Sequence, residues 1–531
     1  METVDAVVIG AGPNGLVGAC ALADAGWDVL VLEAQDDVGG AVRSASLWPQ
    51  TPEATSDLFS AFYPLAAASP VIQRLGLEQH GLTWVQAPNV IAHVGGPDEA
   101  ECAVIHRDPD HTAAALDRDA PGDGEAWLKL FEQWKRLREP LLEALFTPFP
   151  PVRSGGKLLW KAGARDTLEL ARIAASPVTR LGQEWFRGEH GRLLVAGNAM
   201  HADVPMDATG SGLFGWLLVM LAQDVGFPVP QGGAGMLSQA MARRARAAGA
   251  RIDTGENVTQ VVVDDGRAVA VRTASGREVR VRKAVLADVD APRLFTDIVG
   301  LEHLPDKLRA DLRRFEWDLP TVKMNWLVEG GIPWKAEAAR SAGTVHYGSG
   351  MSGLSRWSSD LAAGRAPDEV FALLGQMTTA DPTRSPSGTE SVWAYTHLPR
   401  DQHDNAHAER VADAMEDTLE LAAPGFRDRV RHRTLQRPSD LEAADGNLHH
   451  GAINGGTAQL HQQLVFRPAT GLGRPETVVD GLYLASAATH PGGGVHGACG
   501  WIAARSALAA EGRLGRPVKA VRRQAMKVLY R

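Results

Sequence analysis

The first residues whose spacing implies chemistry are the glycines of Gly10-Ala-Gly12-Pro-Asn-Gly15. They follow a short β-branched run, residues 4–9 (VDAVVI), and open a helical pattern that Gly26 closes. A second apolar run, residues 29–32 (VLVL), ends in Glu33. In a strand–turn–helix–strand unit of this kind each position has a task. Gly10 makes the tight turn, Gly12 lets a pyrophosphate reach the backbone, and Gly15 allows close packing of helix on strand. Beyond Pro13 the helix N-terminus offers unpaired N–H groups and a positive dipole end to an anion. Glu33 stands where an acid accepts ribose hydroxyls. The chemistry is that of a bound dinucleotide.

Gly39-Gly40-Ala-Val-Arg43 extends the fingerprint. A second glycine pair and an arginine this soon after the ribose acid resemble the FAD-containing amine oxidases and phytoene desaturases. The resemblance implies FAD rather than NAD, the pair letting backbone amides approach the cofactor and the arginine offsetting phosphate charge. It covers most of the chain. Residues 481–500 (GLYLASAATHPGGGVHGACG) look like the C-terminal signature of bacterial phytoene desaturases. They are closer still to the phytoene-dehydrogenase-like relatives in the flavin amine oxidase superfamily, which include mitochondrial pyridine nucleotide-disulphide oxidoreductase domain-containing proteins. Residues 230–237, 286–290 and 451–468 match the same group. By that resemblance Gly492, Gly493, Gly494 and Val495 are backbone contacts to the isoalloxazine, and Val258 lies on the strand whose backbone reads the adenine. A glycine run opening a helix is also where a reduced, anionic flavin is stabilised. There is one departure. Ser486-Ala487 stands where amine oxidases carry Gly-Asp, so the ribityl contact must be met otherwise, which favours the desaturase-like branch.

Two side chains are catalytic candidates. Lys323, in residues 321–326 (TVKMNW) and followed by Ile332-Pro-Trp334, resembles the lysine that amine oxidases place on a strand to hold a water at flavin N5. A buried lysine shifts its pKa readily; the alternative is a lysine at a strand end reaching solvent. His490, beside the glycine run, could orient substrate or transfer a proton, whereas Thr-His-Pro before a turn more often satisfies loop carbonyls. His449-His450 and the other histidines lack ligand spacing, so no metal site is expected. Gly348-Ser-Gly350-Met-Ser-Gly353 repeats the glycine pattern, but residues 354–361 (LSRWSSDL) do not read as a βαβ helix, and a surface loop is expected. No G-x-S-x-G occurs, which removes the hydrolases built on that turn.

These residues must be positioned by elements far apart in the chain. Residues 52–228 read as a mostly helical insertion, with helical spacing around 127–145 and 168–185 and a proline joint at 148–151. Residues 251–287 alternate apolar and polar across two turn signals, a β-meander. The expected fold is therefore α/β: a Rossmann-like FAD-binding domain of the glutathione-reductase type with an inserted α+β substrate domain. The FAD domain is assigned residues 1–75, 228–295 and 441–531. The substrate domain is assigned residues 76–227 and 296–440.

Composition narrows the function. Of 531 residues 44% are apolar and 22% charged, and the net charge is -9, so no basic field is available for nucleic acid. Three scattered cysteines form no disulfide framework or dithiol centre, and the chain reads as reduced and cytoplasmic. The most apolar stretch, residues 210–222 (GSGLFGWLLVMLA), is too short to span a bilayer and reads as a buried helix or one resting on a membrane. The basic tail (Arg513, Arg516, Lys519, Arg522, Arg523, Lys527, Arg531) is a solvated end or a peripheral lipid contact. The resemblance implies an FAD-dependent dehydrogenase or desaturase, taking a hydride from an apolar, isoprenoid- or polyketide-like substrate to flavin N5 and passing electrons to oxygen or a quinone. A redox-neutral isomerase or saturase working with reduced flavin, an amine oxidase and a non-catalytic FAD-binding partner are the alternatives.

Overall fold

The computed structural model describes residues 2–96 and 100–512, with residues 515, 521, 524–526 and 528–530. The seven cationic residues of the basic tail lie outside the described residues.

Strand Glu2–Ile9 sits between Val29–Leu32 and Glu278–Ala287, all parallel; Arg251–Asp253 and Leu482–Leu484 extend the sheet on either side. Val29–Leu32 and Leu482–Leu484 are buried at every position, which is why they read as unbroken apolar runs. Register decides the site. Ile9 pairs with both Leu32 and Ala287, and Ala287 pairs with Leu484. Four strands thus end level, and Gly10, Glu33, Asp288 and Ala485 emerge together at one carboxyl edge, where open α/β sheets bind ligands. The first half of Glu278–Ala287 carries the expected meander, Arg267–Thr273 and Val258–Asp264, antiparallel. Asp265 (φ 44°) and Gly266 (φ 72°) make its first hairpin turn.

Helices Pro13–Asp24 and Ala498–Glu511 cross against this sheet at glycines. A methyl group on Gly500 would lie 1.8 Å from the Asn14 carbonyl oxygen, so only glycine permits the contact.

The second sheet runs Val430–Gln436, Thr321–Glu329, Thr389–His397, Ala372–Gln376, Ala342–Tyr347, Asn89–Val94, Ala103–His106. The last two strands correct the helical reading of residues 52–228. They are only six and four residues long, too short for alternation to stand out beside long helical patterns. Apart from the two-residue strands Ser56–Asp57 and Trp84–Val85, the other elements of that region are helices as expected, including Asp123–Leu145 and Val152–Ala175 on either side of the proline joint. Ser211–Val225 is the buried helix of residues 210–222. Trp127 and Trp134 donate from their indoles to Gln223 and Asp224 near its end, each at 2.9 Å. Among the described residues no helix is long and apolar enough to cross a membrane.

Candidate functional site

The glycine turn forms a cradle at the carboxyl edge of the first sheet. A methyl on Gly15 would lie 2.2 Å from the Gly10 carbonyl oxygen, and one on Gly40 would lie 3.3 Å from the Gly12 Cα. The Gly39 N–H donates to Ala11 O at 2.9 Å. The two glycine motifs are thereby joined into one surface of bare backbone. Glu33 is buried beside it, accepting from the Ala11 N–H at 2.6 Å and the Gln35 N–H at 2.9 Å; burial raises its pKa. Arg43 donates to the carbonyls of Gly40 (3.0 Å) and Ala444 (2.6 Å). Val258 is buried at the start of its strand.

One group at the cradle was not recognised from sequence as a site residue. Asp288 accepts the Gly15 N–H at 2.8 Å, and its Oδ2 would lie 2.7 Å from a methyl on Gly12. Burial first, then the charges of Asp445 and Glu33, push its carboxyl up to about 7 against the pull of the Gly15 N–H. The register Ile9↔Ala287 is the signal that places it there.

The loop of Gly492, Gly493, Gly494 and Val495 packs on a second loop, residues 452–457. A methyl on Gly493 would lie 3.0 Å from Asn454 O. Asp318 holds this second loop by its amides, accepting from Ile453, Asn454 and Gly456 at 2.6, 2.8 and 3.2 Å. Arg467 holds it by its carbonyls. Ala487 O, where the acid of the amine oxidase signature is missing, is bonded to Arg467 Nη2 at 2.7 Å. Asn454 Nδ2 donates to Asp203 at 2.5 Å, and Asp203 pairs with His397 Nε2 at 2.6 Å in a fully buried ion pair.

Lys323 is buried, which removes the solvent-reaching alternative. Its Nζ donates to Asp57 O (2.6 Å), Asn325 Oδ1 (2.6 Å) and Gln436 Oε1 (3.3 Å), using all three hydrogens of an ammonium. Burial brings its pKa down to about 7, Asp57 opposing and Arg384 assisting. Pairing registers set Gln436, Lys323, Tyr395, Leu373, His346 and His93 in one row across the second sheet. Trp393 stacks beside Tyr395 at 5.9 Å, and Phe62 lies 6.1 Å from Trp393 and 6.5 Å from Phe227.

His490 Nε2 bonds Thr147 O at 3.2 Å, the loop-satisfying role, while its Nδ1 has no partner; burial lowers its pKa to about 4. Two expectations are amended. His449 and His450 do form a potential ligand group with Glu442, their donor atoms within 4.8 Å of one another, because a turn folds both rings onto one carboxylate. The second glycine pattern is followed by a helix, Met351–Ala362, rather than a loop. Glu189 Oε1 accepts the Met351 N–H at 2.8 Å. A carboxylate therefore fills the place a nicotinamide pyrophosphate would need.

A parallel sheet with a glycine cradle at its carboxyl edge, joined to a second sheet with a buried polar and aromatic face, is the architecture of a dinucleotide-dependent oxidoreductase. Residues 15–508 match the family described as flavin containing amine oxidoreductase, and the chain belongs to it. It is 28% identical to pyridine nucleotide-disulfide oxidoreductase domain-containing protein 2 of Rattus norvegicus, over 94% of this chain and 92% of that protein. It is 24% identical to the zeta-carotene-forming phytoene desaturase of Myxococcus xanthus, over 92% of this chain and 90% of that one. The fold is similar to that of putrescine oxidase bound to putrescine, with TM-score 0.59 and 16% identity, covering 95% of this chain and 98% of that one. FAD is the cofactor, as the resemblance implied. The residues fit it: bare backbone at Gly10, Gly12, Gly15 and Gly40, a helix N-terminus, and Glu33 at the ribose position.

Proposed function

We propose that the chain is an FAD-dependent dehydrogenase of the CH–CH, desaturase-like kind, acting on a largely apolar substrate, with oxygen or a quinone as electron acceptor. What carries the reading is the buried face of the second sheet. Phe62, Phe227, Trp393 and Tyr395 form an aromatic wall, and Lys323 is an amine that titrates near neutrality. Bound FAD supplies a two-electron acceptor for a hydride at N5. The aromatic wall excludes water and orients the substrate by its apolar surface. Lys323 Nζ gives or takes a proton by exchanging one of its three acceptors for substrate or water, the Gln436 Oε1 bond at 3.3 Å being the longest. Gly492, Gly493, Gly494 and Val495 present backbone to the ring system.

An amine oxidase is the second reading, favoured by Lys323 and by the fold shared with putrescine oxidase. Against it, Trp393 and Tyr395 stand side by side on one strand as a single wall, not as two rings facing across a gap. A quinone acceptor would be met at a membrane, and the helical segment Val152–Ala175, broken at Gly163 (φ 71°), suits such a surface. It leaves Leu159, Trp160 and Leu168 exposed, Trp160 by 88%, beside exposed Arg153 and Arg165. The test is anaerobic mixing of FAD-loaded protein with a monoterpene, a long-chain acyl ester and primary amines, following the visible flavin band. Bleaching by the apolar donors supports the reading; bleaching by amines alone overturns it.

A further inference from the structure

We propose that Arg467 is the cation that stabilises reduced FAD from beneath the glycine loop, and that it sets the potential of the bound cofactor. The inference rests on the placement of the isoalloxazine against Gly492–Gly494 and Val495.

The side chain of Arg467 is completely buried. Its guanidinium donates to Ala487 O (3.0 and 2.7 Å), Thr457 O (2.8 Å), Asn454 O (3.0 Å), Gly455 O (3.1 Å) and Gly456 O (3.3 Å). Every acceptor is a neutral carbonyl. Arg384, also fully buried, shows the ordinary solution instead: its guanidinium meets the Asp57 carboxylate at 2.5 Å. A buried charge left without a counter-charge in contact costs several kcal/mol, so a protein that keeps one has a use for the field. Asp318 is the carboxylate nearest in effect, but the loop of residues 452–457 lies between them, its amides turned to Asp318 and its carbonyls to Arg467. Burial lowers the pKa of Arg467 only to about 10, so it is cationic at neutral pH.

The direction of that field is set by contact. A methyl group on Gly492 would lie 3.4 Å from Arg467 Nε and 3.5 Å from Cζ, so the guanidinium touches the underside of the glycine loop. Hydride transfer delivers two electrons and one proton to the bound FAD and leaves one negative charge on its ring system. A fixed cation one backbone layer away, in a dry site, favours that charge without reorganising. Arg467 therefore binds reduced FAD in preference to oxidised FAD. A residue that only pinned the two loops together would favour neither form.

The experiment measures the midpoint potential of bound FAD, and the Kd for oxidised FAD, in wild type, Arg467→Gln and Arg467→Lys. Glutamine keeps donors to the carbonyls and removes the charge. The expected result for Arg467→Gln is an oxidised-FAD Kd within about threefold of wild type, and a reduced-to-oxidised affinity ratio at least about tenfold lower. Tenfold is a fall of about 30 mV for a two-electron couple. Arg467→Lys should restore the ratio to within about threefold. A wild-type potential in Arg467→Gln overturns the proposal. If Arg467→Gln does not retain FAD, Arg467→Lys decides: a conserved ratio supports the charge, and a tenfold loss overturns it. Val495→Pro, which removes the backbone N–H offered to the ring, separates the underlying placement. If the visible flavin bands are unmoved by Val495→Pro, the loop does not face the ring; if they move while the potential of Arg467→Gln does not, only the role of Arg467 fails.

Discussion

Asp288→Asn probes the strangest electrostatic feature of the cofactor cradle, a carboxyl placed where two phosphate charges must come. In the protein without FAD, Asp288 is held near 7 against an ordinary 3.8. At about 1.4 kcal/mol per pKa unit, ionising it in the folded state costs up to about 4 kcal/mol. The sign follows from linkage: the folded state binds the extra proton, so this cost is absent below about pH 4 and grows until the pH passes about 7. Asparagine keeps an oxygen for the Gly15 N–H at the same 2.8 Å position and removes the charge. FAD binding adds its pyrophosphate at this helix N-terminus, so wild-type protein takes up a proton as FAD binds above about pH 7. Its FAD affinity should fall by as much as tenfold per pH unit there. Asp288→Asn should show nearly flat affinity over the same range and, without FAD, should be more stable than wild type near pH 8. Glu33 and Asp445, also pushed up by burial, remain in both proteins, so the prediction is read as the difference between the two pH profiles. Calorimetric titration with FAD in two buffers of different ionisation enthalpy reads the proton directly. Equal affinity from about pH 6 to 9 with no proton uptake in wild type would refute the reasoning.

Other perturbations have equally definite outcomes. Gly500→Ala places a methyl 1.8 Å from Asn14 O and must push the two crossing helices apart; FAD affinity should drop by about a hundredfold or more, and retention of wild-type affinity would show that the crossing does not hold the cradle. Arg384→Met removes the guanidinium paired with the buried Asp57 carboxylate, leaving it only neutral donors in contact, so denaturant unfolding should show a loss of about 3–5 kcal/mol, and a loss under about 1 kcal/mol would contradict the pairing. Lys323→Met should slow reoxidation of the reduced protein by oxygen about tenfold and abolish the wild-type titration of that rate near pH 7; unchanged reoxidation removes the lysine from the chemistry. Trp160→Ser should weaken sedimentation with anionic vesicles severalfold, and no change would leave the Val152–Ala175 surface without a lipid role.

Residues differ in how far the chain alone reveals them. Gly10, Gly12, Gly15, Gly39 and Gly40 were legible because the backbone there tolerates no side chain, and local spacing records that demand. Glu33 was legible because it ends a short apolar strand at a fixed distance from the turn. Arg467, Asp318 and the Asp203–His397 pair were not, because each depends on partners brought together only by the fold. Asn454 and Asp203 are 251 residues apart in sequence. Lys323 could be singled out, but its neighbours Tyr395, His346 and His93 share its row only through four strand registers that no local pattern encodes. The strands Asn89–Val94 and Ala103–His106 were hidden by their length, six and four residues, and their pairing with Ala342–Tyr347 and with each other shows only in the fold.

The central claim is that this chain holds FAD and takes electrons from an organic substrate, not from a nicotinamide. The most direct test is an anaerobic titration of the FAD-loaded protein with NADPH, followed by its visible spectrum. A bound flavin whose oxidised bands persist through excess NADPH is the expected result. Bleaching by NADPH would contradict the assignment of the electron donor, and a protein that shows no flavin band after addition of FAD would contradict the account at its base.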